Sequence, residues 1–238
     1  MNFSLIIPCF NEEKNILVLI NKYKNFLKDY KNELILVNNG STDNTEKVLK
    51  KLTKVKNVKT CRVKKNIGFG YGLKKGFLIS KGKFIIYSHA DLEVDPNDIL
   101  KSLKIFKKYN IHKKIFIKGN RINKIKNHWT YIDIFFSYAL TVLTSILFRK
   151  KIYDIHGMPV LFSKKLLKNK NYFPNDFSID LALYIYAQRD NYKIIRFPVN
   201  FNKKKRKYGK GSSDSIKKKI KASFEQLYQS LLILIKFD

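Results

Sequence analysis

Residues 83–93 read Lys-Phe-Ile-Ile-Tyr-Ser-His-Ala-Asp-Leu-Glu, an apolar stretch that runs directly into two carboxylates separated by one residue. The apolar part is typical of a strand buried within a sheet. Asp91 and Glu93 would then lie beyond the carboxyl end of that strand, where open α/β sheets bind their ligands. Mg²⁺ is usually held by one or two carboxylates together with the phosphates of a substrate. The stretch therefore predicts an α/β sheet with a divalent-metal site that binds a diphosphate.

The sequence around this stretch alternates between strand and helix patterns over the first hundred residues. Apolar runs predict strands at 3–8, 33–38, 57–63 and 83–88. Helical spacing, and a proline that suits a first helical turn, predict helices at 16–30, 41–53, 70–80 and from Pro96 onward. Short βα repeats of this kind predict an α/β fold in which helices flank a mostly parallel central sheet.

The pattern changes after about residue 114, where strands and helices no longer alternate regularly. It predicts strands at 115–118, 158–162 and 193–199, and helices at 131–148, 178–189 and 212–236. The last helix is amphipathic, with apolar residues at helical spacing and several lysines beside them. Because no linker or internal repeat separates the two parts, we expect one domain over 1–238, with halves at 1–114 and 115–238.

The charge is the most unusual feature of the composition, since 49 lysines and arginines stand against 18 aspartates and glutamates, a formal net charge of +31. Nucleic-acid binding, adhesion to an anionic membrane surface and lysines on solvated faces are three interpretations. The chain carries no helix-turn-helix, zinc or RNA-binding motif, so we expect no nucleic-acid partner. Solvated lysines explain much of the charge, and membrane adhesion explains the basic clusters beside amphipathic helices.

The apolar segments of the second half bear on where the protein works. The uncharged run 134–148 is short for a membrane span and fits a buried or interfacial helix better. The helices at 131–148 and from 212 onward would contact lipid; packing on the domain or on a second subunit of a homo-oligomer is the alternative. The amino terminus lacks a signal-peptide pattern, and Cys9 and Cys61 suit reduced, buried thiols. We expect a cytoplasmic protein, peripheral on the inner face of the cell membrane.

Three more loops follow predicted strands of the first half and share polar or glycine residues. Side-chain amides can pair with a nucleobase edge, and glycines let backbone N–H groups approach an anion. The alternative is structural, because Asn11 and Ser41 also suit helix caps. The glycine run has the spacing G-x-G-x-G, which is not the dinucleotide fingerprint. The candidate residues of these loops are Pro8, Asn11, Glu12, Asn39, Ser41, Gly68 and Gly70.

Together these motifs resemble those of family 2 glycosyltransferases with the GT-A fold. In the first half, the resemblance lies in Ile-Ile-Pro-Cys-Phe-Asn-Glu at 6–12, Asn-Gly-Ser-Thr-Asp at 39–43, the glycines after Asn66, and residues 91–93. In the second half, it lies in Gly-Asn-Arg at 119–121, in residues 154–162, and in 206–212. The subgroup it resembles comprises dolichol-phosphate mannosyltransferase-like enzymes and bacterial relatives that build surface polysaccharides.

The resemblance implies a role for each half and for individual residues. The half 1–114 would bind a nucleoside-diphosphate sugar through the seven loop residues named above and Asp91, and Mg²⁺ or Mn²⁺ would lie on Asp91 and Glu93. The half 115–238, with its basic loop and terminal helix, would bind the acceptor. The implied catalytic residues are Asp91, Arg121 and Asp180, and the implied acceptor or phosphate ligands are Asp154, His156, Arg206, Lys207 and Ser212.

Two positions depart from the family pattern. His89 stands where the acid-x-acid motif usually begins with aspartate, and Asn38 and Asn39 stand where paired aspartates are usual. Amides can still read a base edge, but they add no negative charge. If His89 disables the metal site, a nucleotide-sugar-binding module without turnover becomes the alternative function.

The implied reaction is a metal-dependent displacement at the anomeric carbon, with inversion and departure of the nucleoside diphosphate. The expected acceptor is a polyprenyl phosphate, because its oxygen is already anionic and needs little general base. A hydroxyl of a growing, lipid-linked cell-surface saccharide is the alternative, and Asp180 would then take the proton. Asp180 equally suits an acid that stabilises the start of a helix. The sequence identifies neither the sugar nor the base of the donor.

Overall fold

The computed structural model describes residues 2–29, 31–109, 114–168, 172–205 and 215–237. In the first half, strands and helices alternate as β1 (Phe3–Cys9), α1 (Glu13–Leu27), β2 (Glu33–Asn39), α2 (Thr45–Leu52), β3 (Val58–Val63), α3 (Phe69–Ile79), β4 (Phe84–Tyr87) and α4 (Asn97–Tyr109). The second half contains β5 (Ile115–Arg121), α5 (Tyr131–Leu147), β6 (Val160–Ser163), α6 (Ile179–Arg189), β7 (Lys193–Val199) and α7 (Ile216–Phe237).

The described strands form one seven-stranded sheet in the order β3-β2-β1-β4-β6-β5-β7. Only β6 is antiparallel to its neighbours, β4 and β5, so the sheet is mostly parallel. The predicted α/β fold with a mostly parallel sheet and a carboxyl-terminal helix is confirmed. A single sheet runs through both halves, and the division at residue 114 stays a prediction.

Helices cover both faces of this sheet. Alternate residues of β1 point to opposite faces, so Ile6 joins one apolar cluster while Leu5 and Ile7 join the other. The cluster around Ile6 includes side chains of α3, α5, α6 and α7. The cluster around Leu5 and Ile7 includes side chains of α1, α2 and α4. Burial on both faces explains why the parallel strands read as nearly continuous apolar runs.

The strand directions bring the candidate residues to one edge of the sheet. Every strand except β6 runs the same way, so the carboxyl ends of β1, β2, β4 and β5 share that edge. Because β6 runs in the opposite direction, the loop before it, at 154–159, lies at this edge as well. Within the described ranges, no helix is both long and apolar enough to cross a membrane.

Candidate active site

Pro8 lies just beyond the point where β1 stops pairing with β4. β1 pairs with β4 only from Phe3 to Ile6, whereas its pairing with β2 continues through Pro8 to Cys9. A proline has no N–H to donate, which suits a position where one side of the strand is unpaired. Beyond Ile6 the two strands are therefore no longer hydrogen-bonded, and the loop that carries Asp91 starts beside this opening.

The loops after β1 and β2 are bound to each other. The N–H of Asn11 donates to Ser41 Oγ at 3.0 Å, and Asn11 Oδ1 accepts from the N–H of Thr42 at 2.8 Å. The N–H of Glu12 donates to Thr45 Oγ1 at 2.8 Å. The cap positions of α1 and α2 are Glu12 and Asn44, so the helix-cap interpretation of Asn11 and Ser41 is wrong. Because residues 41 and 42 take part in these contacts, α2 begins at Thr45 and not at the predicted residue 41.

Asn39 holds a buried polar atom that no group of the described residues satisfies. Its Nδ2 donates to the carbonyl of Gly68 at 3.1 Å, while its Oδ1 is buried without a hydrogen-bond partner among the described residues. An unsatisfied buried acceptor costs about 1–3 kcal/mol, which a donor from a ligand would recover. The geometry therefore suits the predicted contact between Asn39 and the N–H or O–H group of a nucleotide.

Gly68 and Gly70 admit a neighbouring loop. A Cβ on Gly68 would lie 2.3 Å from the carbonyl oxygen of Asn175, and one on Gly70 would lie 2.4 Å from that of Pro174. The N–H of Tyr71, in the first turn of α3, donates to the Asn175 carbonyl at 2.9 Å. The Tyr71 N–H is thus taken by the protein. A role of the two glycines at an anion stays a prediction, and their structural reason is the close approach of residues 174–176.

Asp91 and Glu93 lie in a tight turn after β4 and are both buried. Leu92 between them has a left-handed backbone (φ 63°), and the N–H of Glu93 donates to Asp91 Oδ1 at 3.1 Å. The carboxylate at the start of α4 is Asp95, whose Oδ1 accepts from the N–H of Asn97 at 2.9 Å. Asp95, and not Asp91, is therefore the acid at the start of this helix.

The chemistry of this pair fits a divalent metal only together with a substrate. Among the described residues, no group of three or more histidines, cysteines or acids is placed to hold a metal by itself. Mg²⁺ commonly takes one or two carboxylates and fills its other positions with phosphate oxygens and water. The two carboxylates suit that arrangement, so the donor set agrees with a metal that arrives with a diphosphate.

His89 packs among aromatic rings. Its imidazole lies 5.0 Å from the ring of Phe69, 6.0 Å from that of Phe177 and 6.1 Å from that of Phe201. These rings come from α3, from the segment before α6 and from the segment after β7. His89 thus packs against three separate parts of the chain, close to the candidate metal ligand Asp91.

Arg121, at the end of β5, forms a buried ion pair with Asp154. Arg121 Nε donates to Asp154 Oδ1 at 2.7 Å, and the backbone N–H of Arg121 donates to Oδ2 at 2.6 Å. Burial alone would raise the pKa of Asp154, but the charge and hydrogen bonds of Arg121 lower it to about 2. The guanidinium also lies 4.8 Å from the ring of Trp129. The two predicted residues are brought together, with their charges balanced.

Two lysines complete a cationic cluster around Trp129. Lys203 Nζ lies 4.6 Å and Lys124 Nζ 5.5 Å from the Trp129 ring, and Lys124 also donates to Ser137 Oγ at 3.2 Å. We call Arg121, Lys124, Trp129 and Lys203 the Trp129 cluster. Sequence reasoning selected only Arg121 from it. The one available signal was that the only tryptophan of the chain follows a short segment that contains Arg121, Lys124 and Lys126.

Asp180, the predicted base, lies inside the protein and is fully buried. Its Oδ1 accepts from the hydroxyl of Tyr87 at 2.7 Å, and its Oδ2 lies 3.0 Å from Nδ1 of His156. The side chain of His156 is 20% exposed, and its Nε2 lies 3.0 Å from Nε2 of Gln226 on α7. His156, and not Asp180, is therefore the member of this pair that is exposed to solvent. Sequence reasoning did not select Tyr87 or Gln226.

Arg206, Lys207 and Ser212 lie outside the described residues, but both flanks of their segment are fixed. Lys203 before the segment and Lys219 after it bind the carboxylate of Asp133, at 2.6 and 2.7 Å. Asp133 also accepts a hydrogen bond from the hydroxyl of Thr130 at the start of α5. Lys203 and Lys219, on either side of this gap, are therefore both close to the start of α5.

The sequence is similar to known proteins over most of its length. A family model described as glycosyl transferase family 2 matches residues 4–169. An uncharacterized protein of Methanocaldococcus jannaschii is 34% identical over 199 residues, which cover 80% of this chain and 83% of that protein. A dolichyl-phosphate beta-glucosyltransferase of Trichomonas vaginalis is 26% identical, with 84% of this chain and 65% of that enzyme covered. The chain thus spans slightly less than two thirds of the length of that glucosyltransferase.

The fold is similar to solved glycosyltransferase structures. Glucosyl-3-phosphoglycerate synthase from Mycobacterium tuberculosis, solved with Mn²⁺, UDP and glucosyl-3-phosphoglycerate, matches with a TM-score of 0.69 at 15% identity, over 96% of this chain and 79% of that one. A mannosyltransferase from Pyrobaculum calidifontis, solved with GDP-Man and Mn²⁺, matches with a TM-score of 0.57 at 17% identity, over 83% of this chain and 55% of that one. Because the family model covers more than half of the sequence, the chain belongs to glycosyl transferase family 2 and is a glycosyltransferase.

Proposed function

We propose that this glycosyltransferase moves a sugar, with inversion, from a nucleoside diphosphate to a polyprenyl phosphate at the inner face of the cell membrane. The observation that carries the proposal is that the Trp129 cluster contacts α5 at Asp133 and Ser137, while an exposed apolar groove lies between α5 and α7. An amphiphile with a phosphate head and an apolar tail matches both features at once. The names of the dolichyl-phosphate relatives support the same acceptor class.

The donor would lie at the carboxyl ends of β1, β2 and β4. Asn39 would offer its unsatisfied Oδ1 to the nucleoside, while Asn11 and Ser41 hold the two loops in place. Asp91 and Glu93 would hold Mg²⁺ or Mn²⁺ against the diphosphate. The metal would supply positive charge where negative charge develops on the leaving group. Solved relatives with Mn²⁺ and UDP or GDP-Man support this kind of donor.

The phosphate head of the acceptor would lie at the Trp129 cluster. Asp154 balances the charge of Arg121, and Asp133 pairs with Lys203, so Lys124 adds the positive charge that an anion needs. Burial, and then the neighbouring charge of Arg121, lower the pKa of Lys124, and a bound phosphate would reverse that effect. The anionic oxygen of the acceptor would attack the anomeric carbon without a general base.

The apolar tail and the membrane surface would meet α5 and α7. The two helices pack together and form an open groove of about 180 Å³ lined mainly by apolar residues, among them Phe135, Leu143 and Phe224. Phe135 is 65% exposed and Phe224 is 69% exposed, while lysines 217, 218 and 221 lie exposed on the same helix as Phe224. An apolar face flanked by lysines suits the interface of an anionic membrane.

The hydrogen-bonded pair of His156 and Asp180 supports a second acceptor class. If the acceptor is a hydroxyl of a growing saccharide, a base must remove its proton. His156 is partly exposed and is held by a buried carboxylate, which is the arrangement that orients an imidazole for this task. In that case the acceptor hydroxyl would replace Gln226 at Nε2 of His156, which takes the proton, and Asp180 positions the imidazole, which revises the role predicted for Asp180.

A transfer assay with polyprenyl phosphate and labelled nucleotide sugars tests the acceptor class. We expect labelled lipid from the wild type and a loss of about tenfold or more with Lys124→Met, because one charge-assisted contact to phosphate is removed. Lys126→Met is the matched control, since Lys126 is exposed two residues away, and it should keep wild-type transfer. Transfer that reaches only saccharide acceptors, or equal transfer by both variants, would contradict the proposed phosphate site.

A further inference from the structure

Lys118, in the middle of β5, is fully buried. It shares a face of the sheet with Phe116, which belongs to the apolar cluster that includes the side chains of α6. Its Nζ is buried and has no hydrogen-bond partner among the described residues. A buried ammonium without a hydrogen bond is costly, and an apolar side chain of similar size would pack there more favourably. The packing of the strand therefore does not explain a lysine at this position.

The charged groups around Lys118 belong to the acceptor side of the candidate site. The attraction of Asp180 on α6 is the strongest charge effect on Lys118, followed by the repulsion of Arg196 on β7 and smaller effects of Asp154 and Arg121. Burial outweighs these effects and lowers the pKa of Lys118 to about 8. Lys118 acts on Asp180 in turn. Burial raises the pKa of Asp180, but the charge of Lys118 and the contacts with His156 and Tyr87 lower it overall.

We propose that Lys118 is a positioning residue whose ammonium keeps the buried Asp180 ionised, so that Asp180 holds the imidazole of His156 through Nδ1 and directs Nε2 toward Gln226 and the acceptor. The proposal rests on the proposed function only through its second acceptor class, which places a saccharide hydroxyl beside His156. Lys118 itself touches neither substrate. Its effect reaches the site through Asp180 and then through His156.

The proposal gives the enzyme a defined response to pH. Below pH of about 8, Lys118 carries its charge and balances that of Asp180. As the pH rises through that value, Lys118 loses its proton, and the carboxylate then lies in the core with no full positive charge opposite it. Transfer by the wild type to a saccharide hydroxyl should therefore fall on the alkaline side, with a midpoint near pH 8. Lys118→Arg, whose guanidinium keeps its charge, should remove this fall.

The first test is an NMR titration of the His156 ring carbons, assigned by comparison with His156→Gln. In Lys118→Met, the imidazole should take up its proton at a pH at least one unit higher than in the wild type. The reason is that the Asp180 carboxylate, without the charge of Lys118, stabilises the protonated imidazole of His156 more strongly. Lys118→Arg should titrate like the wild type. Lys193→Met is the matched control, since Lys193 is exposed on the neighbouring strand β7, and it should leave the titration unchanged.

A double-mutant cycle shows whether the effect passes through Asp180. In an Asp180→Asn background, Lys118→Met should no longer shift the His156 titration, whereas an unchanged shift would overturn the proposal. Identical titrations of folded wild type and Lys118→Met would overturn it as well. If Lys118→Met fails to fold, Lys118→Gln replaces it in both experiments. Absence of sugar transfer by the wild type would count against the proposed function only, because the titration requires no substrate.

Discussion

Arg121 and Asp154 illustrate how the site uses buried charge. Their ion pair connects the end of β5 to the loop before β6, and both side chains are almost completely buried. A buried ion pair contributes little net stability, but removal of one partner is strongly destabilising. The pair therefore fixes the position of the guanidinium beside Trp129, and Lys124 would provide the charge for the proposed phosphate ligand.

The free energy of unfolding should depend on pH through Asp154. Burial raises its pKa, but Arg121 lowers it to about 2, whereas an unfolded aspartate has a pKa of about 3.9. The stabilisation is complete above the unfolded value and is lost as the pH falls from about 4 through about 2. It amounts to about 2–3 kcal/mol. Asp154→Asn should lose at least this much in urea denaturation at pH 7, and a variant with wild-type stability and acid sensitivity would contradict the assignment.

The helices α5 and α7 show an arrangement that the sequence pattern indicated only in part. Helical spacing located both helices, and the structure packs them side by side with apolar residues left on the outside. Asp133, in the first turn of α5, connects the two helices because it binds Lys219 of α7. It also binds Lys203. The predicted alternative, packing on the domain, holds for Leu140 and Ile233, which face the core, but leaves Phe135 and Phe224 uncovered within the described chain.

Liposome flotation tests the role of this exposed face. The wild type should float with anionic vesicles at low salt, because apolar burial and lysine attraction act together. Phe135→Ser with Phe224→Ser should lower the bound fraction by about tenfold or more, since each buried phenylalanine contributes roughly 1.5–3 kcal/mol. Leu78→Ser is the matched control, since Leu78 is 76% exposed on α3. Wild type that stays in solution, or equal losses in both variants, would contradict membrane binding by this face.

For the molecule as a whole, periodicity and the β4 stretch predicted most of the sheet. The predicted strands match the observed ones to within two or three residues at each end, because two-sided burial gives continuous apolar runs. The antiparallel direction of β6 could not be predicted, since a short apolar run does not specify its partners. The late start of α2 follows from hydrogen bonds between two loops, which no local pattern encodes.

The candidate site was predictable to the extent that its residues follow strand ends. Asn39 and Asp91 could be selected because the ends of neighbouring strands meet at one edge of the sheet, and Arg121 because it lies in a motif that resembles the family. Lys118 could not be selected, because a lysine at the end of an apolar run reads as the solvated end of a strand. Lys124, Trp129 and Gln226 reach the site only through the fold of the second half. Long-range packing, which the sequence pattern does not contain, supplies the remainder of the site.

The most direct measurement is metal-dependent transfer from a panel of labelled UDP-, GDP- and dTDP-sugars to polyprenyl phosphate, with release of nucleoside diphosphate followed in the same reaction. We expect the wild type to form a labelled lipid of inverted anomeric configuration with one nucleotide family, and only with Mg²⁺ or Mn²⁺. Asp91→Asn should be slower by on the order of a hundredfold. Asp95→Asn, which can still accept the hydrogen bond at the start of α4, should keep wild-type activity.

Folded wild-type protein that neither forms labelled lipid nor releases nucleoside diphosphate would contradict the proposed function, and full activity of Asp91→Asn would contradict the metal site.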